Sequence, residues 1–530
     1  MKKQPVPATH GLPRTRQRAC RLPLQCMSLV SDPSVARAAA IPTAPRAGAR
    51  RIYNALIGEH GVGLGAIDDV TRSASRVFLA AALSDAGRLD GDIPDHPRLL
   101  ASWLDRDHQQ TASAFRGYLD GRHAGEPRRL FRNRSHALHF IKSVAPTKLV
   151  DGAWLYGLLP HWNDARLAPL VRIYLEELGD GIAGQHHVLL YRKLLCAHGA
   201  DRWHALSDAH HVQGALQLAL GHHAAELLPE VIGFNLGYEQ LPLHLPITAY
   251  ELNELGVDPY YFSLHLTIDN ASTGHARKSL QCALDCLPRA GDAADFYRRM
   301  TTGFKLNDIG MGTMEAIASF DLQRELTAVL ADKGRIGALL HSDHCLIAGR
   351  SVYTWLSTPG GMPDFLGALV GAGWIRRGAD RRESRFWRLL DDEGAAMFGV
   401  FDDYEKQLIS DWIIDAPEDG SGANARRRPI VNRLHDREPA RPGALPCGSE
   451  GSRLGEGDPG HTGELIRRQL AELSATERND EDVRVVEQRL AGVEETALAV
   501  QALQGFLSPA NHTTPAGLLA ARICSGLIGQ

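Results

Sequence analysis

The chain has 530 residues, 44% of them hydrophobic and 23% charged, with a formal net charge of −4. That balance is ordinary for a globular protein of two to four domains. It excludes the basic surface expected of a nucleic-acid or anionic-membrane binder. The eight cysteines form no CxxC pair, which speaks against a zinc knuckle or a thioredoxin-like site and fits a reducing, cytoplasmic compartment.

Residues 1–50 are rich in Arg, Pro, Ala and Ser and poor in acid, and read as a disordered extension. They lack the apolar core of a secretory signal, and Met27 is an alternative start. No apolar run approaches the roughly 18 residues of a membrane-spanning helix, so no membrane partner is expected. Residues 51–125 form an N-terminal helical segment, with helix-period apolar positions over 52–89 and 98–119. A polar, basic loop is expected over 121–134. Residues 126–330 carry a dominant helical pattern from about His136 to Leu330, with breaks at Pro160, Gly179 to Gly184, Pro242 and Gly256. Period-2 strand patterns are nearly absent, which predicts an all-α bundle.

Residues 331–415 read as a small accessory unit, with Trp355, Trp374 and Trp387 as landmarks. Its 366–378 and 384–390 stretches suggest a helix and a short hairpin, hence a winged-helix-like fold. Residues 416–463, rich in Gly, Pro, Arg and Glu, read as a flexible linker. Residues 464–530 return to an amphipathic helical pattern, either a solvated helical hairpin or a docking element.

The most informative stretch is Pro259-Tyr-Tyr-Phe-Ser-Leu-His265-Leu-Thr-Ile-Asp269. Asp258 and Pro259 read as a helix start. His265 and Asp269 then share one face of an otherwise apolar helix, where a carboxylate is costly to bury without a partner. Three further segments supply carboxylate or imidazole. The first runs from Ile173 through Glu176, Glu177 and three glycines to His186 and His187. On an unbroken helix Glu176 would share a face with His187, and Glu177 would diverge from it by about 80°. The glycines predict a kink, so geometry alone leaves Glu176 and Glu177 both open. The second segment delivers Glu239 from a mostly apolar run, and the third is Gly274-His275-Ala.

Glu177-Leu-Gly-Asp-Gly, His187-Val-Leu-Leu-Tyr, Glu239, His265-x3-Asp269 and His275-Ala together resemble the haem-oxygenase-like non-haem di-iron oxidases, the iron-containing redox enzymes. The resemblance covers roughly residues 130 to 300. It implies a haem-oxygenase-like helical bundle holding two iron ions that cycle between Fe(II) and Fe(III), with O2 as co-substrate. It selects Glu177 over Glu176 and His187 over His186, and adds Glu239, His265 and Asp269 as ligands. An early carboxylate is also implied, and Asp151 is the nearest by spacing, although its setting reads equally as a helix cap or turn. The final His departs from the pattern, lying six residues after Asp269 instead of three. Six residues turn a helix by about 600°, so only a bulge or break near Gly274 brings His275 back to the site.

The implied reaction is N-oxygenation, C–C cleavage or desaturation of an amino-acid-like or fatty-acid-like small molecule, with a homodimer partner or an electron donor as further expectations. Trp154, Tyr156, Phe234, Tyr238, Tyr260 and Phe262 are candidate pocket residues whose default role is core packing. Two other readings stand beside this one: a haem-binding or haem-degrading protein of the same fold, and a non-catalytic helical scaffold. His341-Ser-Asp343-His344-Cys345 is a weak metal candidate, because adjacent residues point to different sides. His210-His211 and His222-His223 read as a polar rim, and Cys282 with Cys286 as ordinary core or surface residues. No phosphate loop and no nucleophile elbow is present.

Overall fold

Side chains cap two of the first four helices. The computed structural model describes residues 48–58, 67–268, 274–341, 344–391, 394–415 and 459–529. The expected disordered extension up to residue 47 and the expected linker from 416 to 458 lie outside them, as do Asp269 and Ser342-Asp343. Helices α1 (Ala49–Ile57) and α2 (Asp69–Ala86) open the fold, and Asp68 caps α2 by accepting the Thr71 N–H at 2.6 Å. Helix α3 (Leu100–His123) runs three residues into the expected loop. Its last turn is held by Arg122, which grips the Glu254 carboxylate through two 2.8 Å bonds. Helix α4 (Arg134–Ser143) is capped by Asn133, which accepts from the His136 N–H at 3.0 Å.

The bundle continues with α5 (Ala168–Glu177), α6 (His187–Cys196), α7 (Asp208–His222), α8 (Leu228–Tyr238), α9 (His244–Glu254), α10 (Tyr260–Ile268), α11 (His275–Asp285) and α12 (Ala293–Lys305). Pro169 and Pro229 stand in the first turns of α5 and α8, where a missing N–H costs nothing. Helix α7 is buried from His211 to Gly221. It packs against α1, the Ala145–Lys148 turn and the 3-10 run Ala153–His161. The expected polar rim is therefore corrected for two of its four histidines, since His210 and His222 stay partly exposed. His211 and His223 are buried, His211 bonding the Ser207 carbonyl and His223 the Ser75 hydroxyl, both at 3.0 Å. The elements packed against α7 leave these two no solvated face.

Helices α8 and α12 approach backbone to backbone. A Cβ at Gly233 would lie 1.8 Å from the Met300 carbonyl oxygen, and one at Gly303 would lie 2.1 Å from that of Glu230. The bidentate Arg299–Glu230 pair, at 2.6 and 2.7 Å, closes the same contact. One apolar core joins residues from α1 to α3, from the bundle, and from residues 465–524 at the far end of the chain.

The accessory region follows α13 (Leu322–Gly337) and has its own core around Trp387, Trp412, Phe365 and Phe386. Strands form at β1 (Leu346–Ile347) and β2 (Arg350–Ser351), an antiparallel pair, and not in the 366–378 and 384–390 stretches expected to hold a helix and a short hairpin. Between these stretches Asp380 accepts the Arg382 N–H at 2.9 Å and starts a 3-10 turn that leads into helix α14 (Arg385–Asp391). Arg385 stacks 3.9 Å over Trp374 and Arg381 4.6 Å over Trp387, so guanidinium groups cover indoles that a hairpin would have paired across strands. The C-terminal unit holds α15 (Pro459–Ala471), α16 (Glu481–Leu490) and α17 (Pro515–Ile528). It docks onto the bundle instead of standing free. Among the described residues, no helix is long and apolar enough to cross a membrane.

Burial lowers several imidazoles from an ordinary 6.5: His136 and His222 to about 4 and His186 to about 3, because desolvation disfavours their charged form. Their folded-state values lie below the unfolded one. The stability they contribute is thus complete above pH 6.5 and is lost on acidification through the window down to about 4. Unfolding near pH 5 is expected to take up about one proton at each of these histidines. Denaturant titrations across that window check this, and His136→Gln should flatten the pH slope by about one proton.

Candidate metal centre

Four helix ends, one turn and one helix interior deliver the polar groups. Glu177 is the last residue of α5 and His187 the first of α6. Between them the chain reverses through a 3-10 turn, Gly179–Gly181, with Asp180 at φ 51° and Gly181 at φ 78°. Asp151 lies in the turn before Gly152, whose φ is 80° and whose missing side chain lets this turn approach Glu177, 3.0 Å from a would-be Cβ. Glu239 immediately follows α8, His265 sits inside α10, and His275 opens α11 after Gly274.

These groups meet in two sets that share Glu177. Asp151, Glu177, His187 and His265 form one set, and Glu177, Glu239 and His275 the other. Within each set the candidate ligand atoms lie within 4.8 Å of one another, and every residue is buried. Glu177 is only 3% exposed. Burial alone would raise its carboxyl, but the neighbouring His187 and His275 outweigh that and hold it at about 2. Burial likewise opposes ionisation of Asp151, and Lys148 and His265 overcome it, so that carboxylate stays well below its usual range.

The imidazoles carry the sharpest observation. His265 Nδ1 bonds the Tyr261 carbonyl at 2.8 Å, which makes it the N–H donor and leaves Nε2 facing Asp151 Oδ2 at 3.5 Å. His275 Nε2 bonds Glu176 Oε2 at 2.8 Å, and its Nδ1 bonds Glu239 Oε2 at 3.3 Å and lies 3.4 Å from Glu177 Oε1. A neutral imidazole in either place turns a lone pair toward carboxylate oxygens. A proton on that nitrogen, or a cation between the groups, relieves that repulsion. Glu177 Oε2 and His187 Nδ1 are also in direct ion-pair contact. Three carboxylates and three imidazoles without a thiolate suit iron or manganese.

A second layer orients these groups. Asp151 accepts from the Tyr238 hydroxyl at 2.7 Å and the Tyr261 hydroxyl at 2.5 Å, and Lys148 donates to the Tyr238 oxygen at 2.8 Å. Burial pushes both phenols well above their ordinary value, so they remain donors. Glu176 is gripped by Lys278 at 2.5 Å and by Arg172 at 3.1 Å. Trp154 donates to Asn235, Asn235 to Ser279, and Ser279 to the His275 carbonyl, at 2.8, 2.6 and 2.7 Å, which ties α11 to α8.

Of the residues named from sequence, Glu177, His187, Glu239, His265, Asp151 and His275 come together, while Asp269 lies outside the described residues. The chain places His275 at the start of a new helix after Gly274, which resolves its irregular spacing. Glu176, on the shared face of an ideal helix, instead bonds the outer nitrogen of His275, because the glycine turn breaks that helix. His186 bonds His512 at 2.9 Å. Trp154, Phe234 and Phe262 are core, and Tyr260 is 45% exposed. Cys282 and Cys286 are buried with sulfurs 3.8 Å apart. Sequence reasoning missed Tyr261 and the supporting role of Glu176. Tyr261 stands four residues before His265 on the same helix face, a spacing that could have found it.

Residues 138–308 match the family model described as iron-containing redox enzyme. This is the family that the Glu177, His187, Glu239 and His265 pattern resembles, and the all-α haem-oxygenase-like bundle agrees with it. No curated protein and no solved structure matches the chain.

Proposed function

We propose that the protein is a non-haem iron, O2-dependent oxidase or oxygenase that acts on an amino-acid-like or fatty-acid-like small molecule, with two iron ions sharing Glu177. The observation that carries this reading is the pair of imidazoles, His265 and His275, each with its outer nitrogen spent on a protein acceptor and its inner nitrogen turned toward carboxylates. Asp151, His187 and His265 would hold one ion, Glu239 and His275 the other, with Glu177 between them. Iron supplies one-electron redox chemistry toward O2 when bound.

The chain's own residues prepare the site for that role. The low carboxyls of Glu177 and Asp151 keep both charged at neutral pH, so a cation finds these two ligands without displacing protons from them. Tyr238 and Tyr261 fix both oxygens of Asp151. Trp154 and Phe234 pack on Tyr238, and Phe262 on Tyr261, the two phenols that hold Asp151. Carboxylates facing each imidazole favour non-haem iron over a haem, whose axial histidine needs an open face toward the porphyrin.

The test is anaerobic loading of metal-free protein with Fe(II), followed by metal quantification and O2-uptake measurements with amino-acid and fatty-acid substrates. Two iron ions per chain and substrate-stimulated O2 consumption are expected. A Soret band would point to the haem reading, and a chain that retains no iron would point to the scaffold.

A further inference from the structure

Residues from the far end of the chain, well outside the matched 138–308 segment, converge on the turn between Glu177 and His187. Ser525 in α17 donates to Asp180 Oδ1 at 2.7 Å, and Arg172 grips the same carboxylate. Asp180 holds a left-handed backbone, φ 51°, that a non-glycine residue keeps only when its surroundings compensate. A Cβ at Gly181 would lie 2.3 Å from the Leu518 carbonyl oxygen and 2.6 Å from the Arg522 nitrogen, so α17 lies directly on the turn. His512 bonds His186 at 2.9 Å, one residue before His187. Thr513 accepts from Arg192 at 3.1 Å, and the Leu507 carbonyl accepts from the Tyr174 hydroxyl, one helical turn before Glu177.

We propose that the C-terminal unit, residues 459–529, is the positioning element for the Glu177–His187 half of the metal site. The inference rests on the iron reading for its consequence but not for its geometry. The turn between the two ligands contains three glycines and no regular structure beyond one 3-10 turn, so it has little rigidity of its own. The docked helix supplies that rigidity. It holds Asp180 in place, and Arg172 passes the constraint to Glu176 and thence to His275. Residues more than 300 positions from the ligands thus set the spacing of the site, with Ser525 and His512 as positioning residues.

The test uses the full-length chain and Co(II) as the probe metal. Ser525→Asp places a carboxylate against Asp180 and repels it. Ser525→Asn has the same size and still donates to Asp180. Amide exchange over residues 178–187 of the metal-free protein should rise at least about tenfold in Ser525→Asp and stay near the parent rate in Ser525→Asn. Calorimetric Co(II) affinity should fall about tenfold in the first variant alone, the size expected of an outer-layer ligand support. The visible Co(II) spectrum should shift with it. Should Ser525→Asp unfold the unit, Asp180→Asn, which tolerates the left-handed turn but drops the charge, should move exchange the same way. Unchanged exchange, equal losses in Ser525→Asp and Ser525→Asn, or faster exchange at unchanged Co(II) affinity overturns the proposal. If the parent chain binds no Co(II), the iron reading fails, and the exchange comparison alone decides whether the unit positions the turn.

Discussion

Glu177→Ala is expected to abolish tight metal binding, lowering Fe(II) affinity by more than about 100-fold, the upper end of what outer-layer changes cause. Glu177 belongs to both ligand sets, so its loss removes a donor from each and leaves the His187 Nδ1 without the carboxylate it contacts. Glu176→Gln is the matched comparison. Gln can still accept from His275 Nε2 but gives up the charge held by Lys278 and Arg172, so a loss of only about tenfold is expected. Anaerobic Fe(II) titration of the two variants decides the point. Comparable losses in both, or parent-like binding by Glu177→Ala, would falsify the assignment of Glu177 as the shared ligand.

Gly233→Ala is expected to destabilise the bundle by about 3 kcal/mol or more. The added methyl would lie 1.8 Å from the Met300 oxygen, 2.7 Å from its carbon and 2.9 Å from the Phe304 nitrogen. None of these backbone atoms can swing away, so α8 and α12 must part. Parting them strains the Arg299–Glu230 pair and loosens Phe304, which packs edge-on against Trp103 at 5.7 Å. Because Glu239 immediately follows α8, metal affinity should weaken together with stability. Gly117→Ala gives the contrast. Gly117 is exposed inside α3, with nothing within 4 Å of a would-be Cβ, so Ala there should stabilise by about 0.5–1 kcal/mol. Thermal unfolding of the metal-free proteins reads both effects, and a Gly233→Ala melt close to the parent's would show that the helices part without cost.

The contrast between Glu176 and Glu177 shows where sequence reasoning stops. Helical spacing pairs Glu176 with His187 only if the helix is unbroken. The chain breaks it at Gly179, and the left-handed Asp180 and Gly181 swing Glu177 to His187. Spacing could not reveal this, because the turn's path depends on α17, which lies more than 300 residues later. His275 is the converse case. Its spacing from Asp269 is irregular, and it reaches the site because α11 starts afresh after Gly274. The hairpin expected in the accessory region failed for a local reason: an Asp380-capped turn and arginine–indole stacking favour helix there.

The sequence by itself determined the helical class, through apolar periodicity and capping residues. It also determined the order of carboxylates and imidazoles along the bundle, since those residue types are costly in apolar helices without a common purpose. Only the tertiary structure decided that Asp151 joins the cluster, that Tyr238 and Tyr261 hold it, and that Glu176 bonds the outer nitrogen of His275. The tertiary structure also brought the C-terminal unit onto the turn between Glu177 and His187. The physical reason is that the ligands sit mostly at helix ends and turns. There, side-chain direction is set by positive-φ residues and by what packs against them, and both are long-range properties of the folded chain.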